Sequence, residues 1–135
     1  MNPDSLFVYG TLMNIELLKR LIGDVSIKIE EGRVNGRLYN CGNFPILMES
    51  KDEYVHGKLL TIENLMEKID TLDRYEGYEK NNPECLFIRK KIEVTLKDNK
   101  KKIAWVYVGN PNSEYINKIC VKENYIGSGS WNPPL

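Results

Sequence analysis

The chain has 135 residues, the length of one domain, and its 19 Lys+Arg balance 19 Asp+Glu at a formal net charge of zero. With 41% apolar and 28% charged residues it reads as an ordinary globular protein rather than a disordered one, and its charge balance argues against a bulk grip on nucleic acid or an anionic membrane. The longest charge-free stretches, such as the eleven residues from Leu38 to Met48, fall short of the roughly 18 that a membrane helix needs. From the start, Leu6-Phe7-Val8-Tyr9 is a short β-prone run that stops at Gly10-Thr11. Asn14 then reads as an N-cap, and Leu17, Leu18, Leu21 and Ile22 keep helical spacing until Gly23. The residues from Ser26 to Glu30 and from Gly32 to Tyr39 alternate partially and read as two strands. Asn40 to Pro45 is a turn-rich loop, and Ile46-Leu47-Met48 resumes apolar character.

Tyr54 to Ile62 is a further strand. A helix follows from Asn64, read as an N-cap with Glu67 completing a capping box, and with Leu65, Ile69 and Leu72 on its buried face. Ile88 to Leu96 alternates, a lysine-rich turn follows, and Ile103 to Val108 (IAWVYV) is apolar on both faces, as a central strand would be. Ser113 is a natural N-cap for a last helix through Tyr115, Ile116 and Ile119. The tail from Ile126 to Leu135 is rich in Gly, Ser and Pro and carries Trp131. The pattern predicts a single α+β domain over 1–135: a small, curled, mixed β-sheet of about six or seven strands, flanked by about three helices.

Three cysteines (Cys41, Cys85 and Cys120) and one histidine, His56, show no metal-ligand or disulfide spacing, so no metal site is expected. The opening MNPDSLFVYG lacks the basic start and apolar core of a signal peptide, which makes the cytoplasm the expected location. Three places can carry chemistry. The turn Tyr9-Gly10-Thr11-Leu12 can present successive backbone N–H groups at a helix start as an anion site, or it can simply turn the chain. Glu76, between Tyr75 and Gly77-Tyr78, becomes a general base if its carboxylate is buried among rings; otherwise Asp73, Glu76 and Glu79 are solvated carboxylates on a helix end. The Gly42 to Pro45 loop, with Tyr39 before it, lines a pocket or turns a corner. Cys41 with His56 is a further nucleophilic alternative.

Taken in order, these segments resemble the gamma-glutamylcyclotransferase-like family, small enzymes that release 5-oxoproline from γ-glutamyl compounds. LFVYGTLM (Leu6 to Met13) is similar to the family's strand and Tyr-Gly-Ser/Thr-Leu turn, and GRLYNCGNFPIL (Gly36 to Leu47) to its Gly-x-Leu-Tyr and Gly-aromatic-Pro. VHGKLLTI, LDRYEGY, IAWVYV and Gly129-Ser130-Trp131 match later segments, LDRYEGY being where the family keeps its acidic residue. The chain departs where the family often has Tyr-x-Arg: here it reads Phe87-Ile88-Arg89, without the hydroxyl, after the insert Tyr78 to Cys85. Its short length resembles the gamma-glutamylamine cyclotransferase branch.

The resemblance implies a small curled mixed β-sheet or barrel of about six strands flanked by about three helices, and an intramolecular aminolysis without cofactor. Glu76 would be the catalytic acid/base, Tyr9, Gly10, Thr11 and Leu12 would bind a small γ-glutamyl substrate, and Tyr39, Pro45, Phe87 and Arg89 would line the pocket. No nucleic-acid or membrane partner is implied, and a monomer or homodimer is expected. A non-catalytic ligand-binding or interaction protein on the same fold is the alternative.

Overall fold

The computed structural model describes residues 2–132; residue 1 and the last three residues of the tail, 133–135, lie outside it. The strands are β1 (Ser5–Val8), β2 (Ile27–Asn35), β3 (Arg37–Asn40), β4 (Pro45–Met48), β5 (Tyr54–Ile62), β6 (Phe87–Leu96), β7 (Lys101–Gly109) and β8 (Tyr125–Ile126). The helices are α1 (Ile15–Ile22), α2 (Leu65–Glu76) and α3 (Glu114–Ile119), with a 3₁₀ turn over Thr11–Met13. Five strands close a barrel in the order β1-β5-β2-β6-β7, and β4-β3-β8 form a second, three-stranded sheet. Neighbours in the barrel are antiparallel except at the closing seam, where β1 and β7 run parallel with Leu6 opposite Trp105.

The continuous apolar character of β1 and β7 follows from this arrangement, since both faces of each strand are covered. Phe7, Val34, Val55, Leu59, Val94, Ala104, Val106 and Val108 come from all five strands and fill the barrel with Trp131. Leu6, Val8, Leu60 and Ile62 point the other way and meet Leu18 and Ile22 of α1 and Leu65, Ile69 and Leu72 of α2. Among the described residues, no helix is long and apolar enough to cross a membrane.

The α+β barrel matches the sequence reading, with three corrections. Among the described residues the chain makes eight strands rather than about six, with β8 unforeseen in the tail, and β4-β3-β8 form their own sheet. The break expected around Glu31 does not exist: β2 runs through it, and the chain leaves the barrel at Gly36. A Cβ at Gly36 would come within 2.5 Å of Leu47 Cδ1 and 2.9 Å of the Met48 carbonyl oxygen, so the crossing between sheets needs a residue without one. Asn14 caps α1 as expected, accepting from the amides of Glu16 and Leu17, and Ser113 caps α3 through the amide of Ile116. Asn64, however, is left-handed (φ 56°, ψ 39°) and its side chain caps nothing.

Candidate active site

A cavity of about 410 Å³ opens where β1 leaves the barrel, a volume in the range of small-molecule sites. Each wall comes from a different element. Tyr9 and Gly10 continue β1, Thr11 and Leu12 belong to the 3₁₀ turn, Asn43 and Phe44 come from the β3–β4 loop, and Pro45 begins β4. Tyr75 and Glu76 end α2, Leu86 precedes β6 and Phe87 begins it, and Tyr107 comes from β7. Pro45 lies so close to Gly10 that a Cβ there would sit 2.8 Å from its ring carbons.

Among the described residues, Glu76 is the only carboxylate on this wall, and its side chain has no hydrogen-bond partner. Burial pushes its carboxyl up from the usual 4.5 to about 7. Its place at the last residue of α2, the negative end of the helix dipole, acts in the same direction. Gly77, left-handed at φ 75°, ends the helix there, and the Tyr78 amide closes back on the Asp73 carbonyl at 2.8 Å.

Asp73 lies one turn earlier on the same helix face and is fully partnered. Arg89 donates to it through two nitrogens, at 2.8 and 3.2 Å, and the Tyr107 hydroxyl donates at 2.6 Å. The Arg89 guanidinium also lies over the Trp105 ring, 4.2 Å from its centroid. Tyr9 donates its hydroxyl to the Tyr107 carbonyl at 2.5 Å. Burial, and then the nearby Glu76 carboxylate, raise the Tyr9 phenol well above its usual range; burial and Asp73 do the same for Tyr107, so both remain neutral donors. This frame ties β1, β6 and β7 to the last turn of α2 and fixes where Glu76 points. Tyr75 adds a looser contact across the mouth, its hydroxyl 3.4 Å from Thr11 Oγ1.

The backbone N–H groups of Gly10, Thr11 and Leu12 find no acceptor among the described residues. They do not stand at the start of an α-helix, as the sequence suggested. A three-residue 3₁₀ turn occupies the position, and the first amides of α1 are already taken by Asn14. Any anion binding here rests on bare amides rather than on a helix dipole.

The structure thus gathers Tyr9, Gly10, Thr11, Leu12, Pro45, Glu76 and Phe87 around one cavity. Tyr39 and Arg89 do not line it. Tyr39 packs on Tyr125 of β8, ring centroids 5.9 Å apart, and Arg89 is spent on Asp73 behind Tyr107. Phe87 tilts against Phe44 at 5.8 Å and makes this side of the cavity apolar. The sequence reading missed Tyr107 and Asp73 as partners; the i, i+3 spacing of Asp73 and Glu76 was the available signal, since it puts both on one helix face. Cys41 and His56 are not brought together. Cys41 Sγ meets the Tyr115 hydroxyl at 3.6 Å, whereas His56 lines a separate, smaller cavity beside Tyr54 and Gly129. Among the described residues, no three His, Cys, Asp or Glu side chains are grouped so as to hold a metal ion.

Residues 6–133 match the model of the family described as gamma-glutamyl cyclotransferase, AIG2-like. Among solved structures, an Arabidopsis thaliana protein determined in solution superposes with a TM-score of 0.66 at 19% identity, over 87% of this chain and 74% of that one. YkqA from Bacillus subtilis matches at 26% identity and a TM-score of 0.64, over 97% of this chain but 40% of YkqA, so this chain spans less than half of that protein. An AIG2-like protein from Mus musculus matches at 20% identity and a TM-score of 0.62, over 99% of this chain and 98% of the other. No curated protein matches the chain.

Proposed function

Because the chain belongs to the gamma-glutamyl cyclotransferase, AIG2-like family, we propose that it releases 5-oxoproline and a free amine from a γ-glutamyl amine or peptide, with Glu76 as the acid/base. The observation that carries this reading is Glu76 itself: an unpartnered carboxyl, raised to about 7, on the wall of a cavity the size of a small substrate.

The chemistry follows from the groups at hand. The substrate's α-amino group attacks its own γ-carbonyl carbon, closing a five-membered lactam, and the old amide C–N bond breaks. The amine loses a proton on attack and the leaving nitrogen gains one, so no water is consumed. A carboxylate poised near neutrality suits both transfers, taking the first proton and returning it. The free amides of Gly10, Thr11 and Leu12 offer three donors for the substrate's α-carboxylate, which would hold the chain folded for attack. Tyr9, locked on the Tyr107 carbonyl, walls the same pocket.

The test is 5-oxoproline formation from a panel of γ-glutamyl amines and dipeptides, with Glu76→Gln alongside. Turnover by the wild type and a loss of about 10²-fold or more in the variant are expected. Equal turnover by both would remove Glu76 from the role, and ligand binding without product would favour a binding protein. Since the base form is required, kcat/KM should rise with pH through about 7, the value to which burial moves Glu76. A profile flat across that range would remove the general-base assignment.

A further inference from the structure

We infer that the leaving amine of the substrate carries an apolar, preferably aromatic group and no carboxylate; this rests on the cyclotransferase reading above. The argument is one of missing charge and abundant ring. No Lys, Arg or His lines the cavity among the described residues. The nearby guanidinium of Arg89 is bidentate on Asp73 and stacked on Trp105, and so is unavailable to a ligand. The amides of Gly10, Thr11 and Leu12, free of acceptors among the described residues, are taken by the substrate's own α-carboxylate on the proposed function. A second carboxylate, as every γ-glutamyl dipeptide carries, would enter without a partner and face Glu76, where like charge and desolvation both oppose it.

The remaining wall offers apolar contact. Phe44 and Phe87 meet at 5.8 Å, Leu86 lies beside them, and Tyr75, 42% exposed at the mouth, has ring surface left to cover. An aromatic amine buries that surface and asks for no counter-charge. The Phe at position 87 therefore acts as a specificity element: its ring provides contact where a hydroxyl would have offered a polar one.

The test uses a matched pair, γ-glutamyl-phenethylamide and γ-glutamyl-phenylalanine, which differ only by the carboxylate on the leaving group. The amide should show kcat/KM at least about 30-fold higher, within what an unpaired buried charge costs in selectivity. Equal use, or a preference for the dipeptide, overturns the inference. Calorimetric binding of both compounds separates it from the reaction itself. If neither yields 5-oxoproline, the cyclotransferase reading fails, while tenfold tighter binding of the phenethylamide still upholds the selectivity; equal binding, or none, overturns it. Asn43→Arg places a cation on the exposed rim of the loop and should narrow the ratio several-fold. An unchanged ratio in the folded variant would also overturn the inference.

Discussion

Glu76 holds its proton far more tightly than a free glutamate because water reaches it only through the cavity, and no donor replaces that water. Its titration therefore belongs to stability as well as to catalysis. The native state favours the protonated form, with the carboxyl raised from 4.5 to about 7. Its contribution is thus fully present below about 4.5, is lost as the pH rises to about 7, and becomes a fixed penalty above that. Allowing for partial exposure, that penalty is on the order of 1–3 kcal/mol. Glu76→Gln removes it. The variant should match the wild type in thermal unfolding near pH 4.5 and exceed it at pH 8 by several degrees; equal Tm values at both pH would mean that the carboxylate is effectively solvated. Asp73 poses the opposite case, a carboxylate whose partners are all in place. Asp73→Asn leaves the mostly buried Arg89 charge without its counter-ion and should cost about 2–3 kcal/mol, reduced from the fully buried case because both side chains keep some exposure. Adding Arg89→Met should restore part of that loss in a double-mutant cycle. If the two losses simply add, the pair is not coupled.

Two asparagines at helix starts look interchangeable in the chain and do different work. Asn14 accepts from two α1 amides, so Asn14→Ala should lose about 1 kcal/mol. Asn64 instead turns the chain from β5 into α2 through a left-handed backbone, with only its carbonyl bonded, to the Glu67 amide. Serine is as good a cap as asparagine but a poor left-handed residue. Asn64→Ser should therefore cost about 0.5–1 kcal/mol, whereas Asn64→Gly costs nothing or stabilises slightly. Denaturant unfolding of the three variants checks both assignments, and a stable Asn64→Ser would restore the cap. This difference marks how far local pattern reaches. The amphipathic spacing of Leu65, Ile69 and Leu72 is written in residue order, and so is the two-faced apolar run of β7. Backbone handedness at a junction is set by the angle at which two packed elements meet, and an asparagine, suited both to a cap and to a left-handed turn, does not say which of the two it serves.

At the scale of the whole molecule, the barrel closes through contacts between distant parts of the chain. β1 and β7 meet in parallel at Leu6 and Trp105, 99 residues apart, and the second sheet relies on strands of four and two residues. Neither leaves a periodic signature, which is why Glu76 and the Tyr9 to Leu12 turn stood out singly in the chain but Tyr107 and Asp73 were not joined to them. Tyr39 and Arg89 show the converse, since proximity in sequence to a loop or a strand end does not decide which face a side chain takes. Closure also makes a specific demand at Gly57, where β5 passes β1. A Cβ there would lie 2.2 Å from the Val8 carbonyl oxygen and 2.8 Å from Phe7 Cζ. The first contact is with backbone, so no rotamer change relieves it; β1 itself must move, and β1 leads directly into Tyr9 and Gly10. Gly57→Ala should cost about 3 kcal/mol or more, a fall in Tm of roughly 10 °C for a chain of this length. Because the displaced strand carries the cavity wall, substrate binding should weaken even at temperatures where the variant remains folded. A Gly57→Ala protein with unchanged Tm and unchanged binding would mean that the barrel is looser at this crossing than the close approach of its strands implies.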